Sequence, residues 1–256
     1  MRMISTPPTA VMLAAGVGRR LGGGDRPKAL LEFAGKTLLQ RHLEGLAAAG
    51  VREVSITIGH AGELIREACA GIGSSLTVRF IHNPRYTEGS LVSLWTQRAL
   101  LRSGAPIILM DADVLCDARM FQRLVASPAE NTLLLDREIE PGDEPVKICF
   151  AQDGAIVDFR KVPEHAHVRH GESVGFFRFS PAIAAALADR TEAYVAAGQT
   201  LVEYEEAIRD LLLAEPHRFA AEDVSDLPWT EIDFEADVAR AKAVILPQLE
   251  DEHAAA

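Results

Sequence analysis

Lys28, Arg20 and three aspartates, Asp111, Asp113 and Asp233, are the side chains in this 256-residue chain whose types and settings could do chemistry. Arg20 and Lys28 stand among glycines at 16, 18, 22, 23 and 24. Glycine lets a backbone take positive φ and come close to a ligand. Successive exposed backbone N–H groups in such a turn form a nest for anions. Two full positive charges set into it describe a seat for a polyphosphate. A flexible surface loop is the alternative, and the Pro27-Lys28 ending speaks against it. Asp111-Ala112-Asp113 closes the apolar run Pro106–Met110. Strand alternation puts its two carboxylates on one side, near the end where the glycine turn must also lie. A polyphosphate is strongly anionic, and magnesium held by one or two carboxylates plus phosphate oxygens is the usual remedy. Read alone, either acid of the pair could cap the next turn. Asp233, just before the last helical run, would then be an N-cap.

The elements that must carry these residues are legible from periodicity. Ala10–Ala15 reads as a short buried strand, Val54–Ile58 as a second apolar strand, and Pro106–Met110 as a strand buried on both faces of a parallel sheet. Thr37 caps a helix with Leu38, Leu39, Leu43 and Leu46 on one face, and Gly50 stops it. Further helices are expected over 62–70 and from near Ser90, with a strand over 77–81. The alternation predicts a doubly wound, Rossmann-like α/β sheet with its ligand at the carboxyl ends of the strands. From about 131 the pattern changes to short strands over 132–135, 146–150, 155–159 and 173–179. Helices over 181–187 and 201–213, a strand near 230–232 and a helix over 235–249 follow. The expectation is a single domain over 1–250, with a nucleotide-binding half (9–130), a smaller mixed β/α acceptor-binding half (131–250) and a frayed tail (251–256).

Composition removes several classes of function. A net charge of −11 argues against non-specific nucleic-acid or anionic-membrane partners. No apolar core of a signal peptide is visible and no stretch approaches a membrane span, so a cytoplasmic location is expected. The three cysteines are scattered and lack C-x-x-C spacing, which suits reduced side chains. His165, His167 and His170 lie on a polar loop without an acid at ligand spacing, and read as solvated. The glycine turn is not a dinucleotide fingerprint, because Leu21 stands at the third glycine position, nor a P-loop, because no Gly-Lys-Ser/Thr follows.

Leu13-Ala14-Ala15-Gly16-x-Gly18-x-Arg20-Leu21, followed by Pro27-Lys28, resembles the signature of the nucleotidyltransferases, the nucleoside-diphosphate-sugar pyrophosphorylase superfamily. Trp229-Thr230-Glu231-Ile232-Asp233 resembles a segment of its choline-phosphate and aminoethylphosphonate cytidylyltransferase branch, as do Gly154-x-Ile156-x-x-Phe159-x-Lys161 and Gly171-Glu172-x-x-Gly175. The resemblance implies a nucleotide-diphospho-sugar transferase type of fold. It implies nucleotide contacts by Leu13, Ala14, Ala15, Gly16, Gly18, Arg19, Lys28, Ser90 and Asp111. It gives Lys28, Arg20 and Lys147 the catalytic charges, and Asp113 and Asp233 a magnesium ion, with manganese as a substitute. Acceptor contacts fall to Glu172, Lys161, Trp229 and Tyr204. Glu88-Gly89 departs from the pattern, standing where the family often has Asn, which leaves base and acceptor choice open. The implied reaction is attack of an acceptor phosphate or phosphonate on the α-phosphorus of CTP, with pyrophosphate leaving and no side-chain base. The implied partners are CTP and a small phosphate or phosphonate acceptor, for a monomer or homodimer that binds neither nucleic acid nor membrane. A sugar-1-phosphate nucleotidyltransferase using UTP or dTTP, and a non-catalytic nucleotide-sensing module, are the competing readings.

Overall fold

The computed structural model describes residues 7–21, 26–139 and 144–255, with the side chains of Arg19 and of 251–255 outside it. The glycines at 22–24 therefore fall outside the described residues. Among the described residues the strands are β1 (Thr9–Ala14), β2 (Glu32–Phe33), β3 (Lys36–Thr37), β4 (Glu53–Ile58), β5 (Thr77–His82), β6 (Ile107–Asp111), β7 (Val114–Cys116), β8 (Asn131–Asp136), β9 (Lys147–Phe150), β10 (Ile156–Arg160), β11 (Arg169–Phe179), β12 (Phe219–Asp223) and β13 (Trp229–Glu231). The helices are α1 (Leu38–Ala48), α2 (Gly62–Ile72), α3 (Ser90–Thr96), α4 (Arg98–Leu101), α5 (Arg119–Ala126), α6 (Pro181–Ala196), α7 (Tyr204–Ala214), α8 (Glu235–Arg240) and α9 (Leu246–Ala255).

Nine strands make one mixed sheet along the path β10-β9-β11-β6-β1-β4-β5, with β8 beside β11 and β12 beside β8. The doubly wound, mixed α/β reading of the sequence describes it. β1 is central and parallel to both neighbours, Thr9 lying opposite Glu53 and Ile107. Its alternation sorts the core. Ala10, Met12 and Ala14 pack with α1 and α5 residues on one face, while Val11 packs on the other with residues of α6 and α7. β6 does the same, Ile108 and Met110 facing one way and Ile107 and Leu109 the other. A strand buried on both faces needs a continuous apolar run, which is why these two were readable.

The two halves of the chain share this sheet. β11 pairs with β9 through Arg169–Glu172, then with β6 through Phe176–Phe179, and along its other edge with β8. Its register shifts between Ser173 and Phe177, around Gly175 with φ +79°. A Cβ at Gly175 would lie 2.5 Å from Oδ2 of Asp111, so glycine is required there both by conformation and by space.

Several elements and boundaries differ from the sequence reading. β12, a parallel edge strand, and α5 were not expected. β11 begins at Arg169 rather than 173, since its polar start is held by backbone pairing with β9. α6 runs on to Ala196. The terminal helix reaches Ala255 where a frayed tail had been expected from 251. No helix among the described residues is long and apolar enough to cross a membrane.

Candidate active site

The cleft lies at the carboxyl ends of β1 and β6, a cavity of about 370 Å³ whose walls include Leu13, Ala14, Gly16 and Gly18 on one side and Asp111 and Asp113 on another. Ala15 lies behind the wall instead, buried, its carbonyl accepting the N–H of His60 at 3.2 Å. The Arg19 side chain lies outside the described residues.

Three remote segments converge in this cleft. Lys28, just after Pro27, donates to Oδ2 of Asp113 at 3.0 Å and to Oδ1 of Asp233 at 2.6 Å. Arg20 donates to Oδ2 of Asp233 at 3.2 Å and pairs with Glu144 at 2.9 Å. Burial works against the Lys28 ammonium, but Asp113 and Asp233 overcome it and raise its pKa above the usual lysine value. Lys28 therefore carries full charge across the neutral range.

Backbone pairing brings Asp233 to Asp113. β13 pairs antiparallel with β7, putting Glu231 opposite Val114, and the Ile232 N–H donates to the Asp113 carbonyl at 3.0 Å. Asp113, Glu231 and Asp233 each present a carboxylate oxygen within 4.8 Å of the other two. Asp233 is not the cap of α8. The Asp237 carboxylate accepts the N–H groups of Asp233 (2.8 Å) and Phe234 (2.6 Å), leaving the Asp233 carboxylate turned toward Lys28 and Arg20.

Asp111 is braced rather than free. Tyr204 donates its hydroxyl to Oδ2 of Asp111 at 2.6 Å. Desolvation, then the charges of Asp113 and Glu205, push the Asp111 carboxyl well above the usual range. Ser90 lines the cleft, and its hydroxyl donates to Glu203 at 2.6 Å and accepts the Tyr204 N–H at 2.9 Å, fastening the start of α7. Gly89 explains the departure from the family pattern at that point. A Cβ there would sit 2.1 Å from the Val202 carbonyl oxygen, and its N–H bonds Thr200 O at 2.8 Å.

Lys161 lines the cleft and donates to Glu144 at 2.7 Å. The loop carrying it is pinned by Asp158, which is fully buried. Burial alone would raise that carboxyl. Arg209 at 2.6 Å and the N–H groups of His165, Glu164 and Phe159 instead hold it well below the usual range. His165 Nδ1 joins the same carboxylate at 3.1 Å.

Three expected contacts lie elsewhere. Lys147 does not line the cleft; its ammonium donates to the Lys161 carbonyl at 2.8 Å and steadies that loop. Glu172 is buried between β9 and β8, opposite Lys147 and Asp136. Trp229 is in the core, its indole N–H on Asp136 at 2.7 Å. For Lys147 and Glu172 strand alternation turned the side chain away from the ligand face, their neighbours Val146 and Ser173 lining the cleft instead. Glu144, Glu203, Glu205 and Glu231 were missed. Glu231 was recoverable, because it stands two residues before Asp233.

Seven carboxylates line this cleft, those of Asp111, Asp113, Glu144, Glu203, Glu205, Glu231 and Asp233, against the cations of Arg20, Lys28 and Lys161. A polyphosphate could not enter such a field without a further cation. The hard oxygens of Asp113, Glu231 and Asp233 fit a magnesium ion in donor type and mutual distance.

The family model described as a MobA-like NTP transferase domain matches residues 10–170. The chain belongs to this family. Among curated relatives of this NTP transferase domain, CMP-5'-(3-aminopropyl)phosphonate synthase of Streptomyces rubellomurinus is 30% identical over 97% of this chain. The bifunctional IPC transferase and DIPP synthase of Rubrobacter xylanophilus is 27% identical over 93% of it. The chain spans 40% and 52% of the length of those two proteins. The inositol-1-phosphate CTP transferase from T. maritima superposes with a TM-score of 0.76 at 17% identity, covering 96% of this chain and 97% of that one. CTP:phosphocholine cytidylyltransferase from Streptococcus pneumoniae gives 0.75 at 19%, covering 93% and 99%. At those identities the likeness is one of fold, the nucleotide-diphospho-sugar transferase type.

Proposed function

We propose that the cleft transfers CMP from CTP to a small phosphorylated aminoalcohol or a phosphonate, releasing pyrophosphate. The observation that carries this reading is the convergence of Lys28 and Arg20 with Asp113 and Asp233 beside the glycine turn. The relative named for an aminopropylphosphonate supports the acceptor class, and the two named for cytidylyl or CTP transfer support the base. A nucleotide sensor would have no use for three acids gathered within one ion's reach.

Asp113, Glu231 and Asp233 would hold magnesium, or manganese in its place, which supplies positive charge to the phosphates of the bound nucleotide. The turn through Gly16 and Gly18 offers backbone N–H groups to the triphosphate. An acceptor oxygen, already anionic at neutral pH, forms the new P–O bond at the α-phosphorus. The α–β P–O bond breaks and pyrophosphate leaves with the electron pair. Lys28 and Arg20 stabilise the charge that collects on it, and Lys161 faces the incoming phosphate or phosphonate. The chain's part is positioning and charge, as in phosphoryl transfer generally.

A pyrophosphate-release screen tests this directly: four NTPs against phosphocholine, phosphoethanolamine, aminoalkylphosphonates and sugar 1-phosphates, with magnesium. Release with CTP and a phosphorylated amine is expected. A preference for UTP or dTTP with a sugar 1-phosphate would transfer the assignment to the sugar-nucleotide branch.

A further inference from the structure

A second cavity, about 530 Å³, adjoins the cleft and shares Val146, Lys161, Glu203 and Glu205 with its wall. It extends from the Lys161 side, where the acceptor must enter, and is lined by Val162, Tyr194, Leu201 and Val202 together with charged groups. Most of those charges are already matched. Arg160 pairs with Glu164 and with Glu206, Arg209 also holds Glu164 at 3.0 Å, and Lys161 is on Glu144. Glu205 is the exception. Its Oε2 is inaccessible to solvent and has no hydrogen-bond partner, and no cation pairs with it among the described residues. Glu203 beside it receives the Ser90 hydroxyl and no cation. A buried, unpartnered carboxylate oxygen is costly to fold, and on a residue that lines the substrate cavity it marks the place of a cation the substrate brings.

Resting on the cytidylyltransfer reading, we propose that Glu205, flanked by Glu203, seats a primary ammonium at the far end of the acceptor's short alkyl chain. The alkyl chain lies along Val146 and Val202, and the phosphate or phosphonate end faces Lys161 and Arg20. Without that cation, burial and then the neighbouring acids push the Glu205 carboxyl up to about 8. A bound ammonium would draw it back to the ionised form. A quaternary ammonium would want aromatic faces around it, and the described aromatics do not gather here. Trp95 is covered by Arg98, with the guanidinium 4.1 Å from its ring centroid. Trp229 is in the core, and Tyr86 lies beside His60. Tyr204 packs edge-on against Phe177, and Tyr194 alone lines the cavity.

The test uses the full chain with CTP and magnesium, and reads the ratio of kcat/KM for 3-aminopropylphosphonate over propylphosphonate. Wild type should prefer the amine on the order of tenfold to a hundredfold, the worth of a charge-assisted hydrogen bond. Glu205→Gln, which keeps the shape and removes the charge, should bring the ratio close to unity. Glu205→Asp should keep an intermediate ratio, and it decides the matter if the Gln variant fails to fold. An unchanged ratio in either variant, or a wild type indifferent to the amine, overturns the assignment. Equal use of the N-trimethyl analogue overturns its primary-ammonium part. Wild type that releases no pyrophosphate from CTP with any acceptor defeats the cytidylyltransfer reading itself, a result distinct from the others.

Discussion

Glu172 separates a residue's place in a motif from its place in the fold. Its segment matched the family, yet its side chain is buried beside Asp136 rather than in the cleft. Burial, then the Asp136 charge, push its carboxyl up to about 7. An unfolded chain gives up that proton near the ordinary 4.5. The stability tied to the protonated form is therefore whole below about 4.5, and is lost as pH rises through about 7. Glu172→Gln should match wild type at pH 4 and exceed it at pH 8, by up to about 3 kcal/mol, with turnover close to wild type. Denaturant melts at the two values check it, and an equal gap at both would contradict the burial argument. The convergence of Lys28, Arg20 and Asp113 was foreshadowed by residue type and setting, whereas Asp233, which reads alone as a helix cap, was singled out by the family resemblance. Lys147 and Glu172 face away from the cleft because facing is decided by register, and one residue's slip reverses it; Trp229 is drawn into the core by its indole bond to Asp136.

At the scale of elements, α1 was readable from end to end. Thr37 Oγ1 accepts the Gln40 N–H at 3.0 Å, and Gly50 stops the chain with φ +87°. β12 was not readable, since Phe-Ala-Ala-Glu-Asp carries neither alternation nor β-branched side chains, and its pairing with β8 is wholly tertiary. α1 also carries a titrating group. His42 is buried between the rings of Phe121 and Phe176, with Nε2 at 2.6 Å from the Val114 carbonyl. Burial lowers its pKa to about 4 from an ordinary 6.5. The unfolded chain takes up a proton below 6.5 and the folded one resists until about 4, so stability is present above 6.5 and lost as pH falls through that window. A His42→Gln variant should flatten the rise of unfolding free energy between pH 4 and 6.5, by up to about 3 kcal/mol over the span. A slope that persists in the variant would assign the acid sensitivity to other groups.

The whole molecule is acidic, with net charge −11, and concentrates carboxylates at the mouth of a sheet that both halves of the chain build. Such a body gains stability from whatever cation the cleft holds. Magnesium at about a hundredfold its Kd should add about 2.7 kcal/mol. For a chain of this size that is a rise in Tm of roughly 5–11 °C. Asp113→Asn should lose most of the rise. Chelation should lower Tm without changing the far-UV circular dichroism at room temperature. An equal rise in the variant would place the ion elsewhere on the surface.

Asp233 is the residue at which a helix-cap role and a catalytic one part company. Its carboxylate faces Lys28 and Arg20, and Asp237 does the capping. The decisive measurement is pyrophosphate release by Asp233→Asn at saturating CTP and acceptor and low magnesium, with Tm recorded alongside. Asparagine keeps the shape, so Tm should stay near that of wild type, while loss of one hard, charged ligand should cut turnover on the order of a hundredfold or more, partly restored by manganese. Full activity at low magnesium would contradict the site.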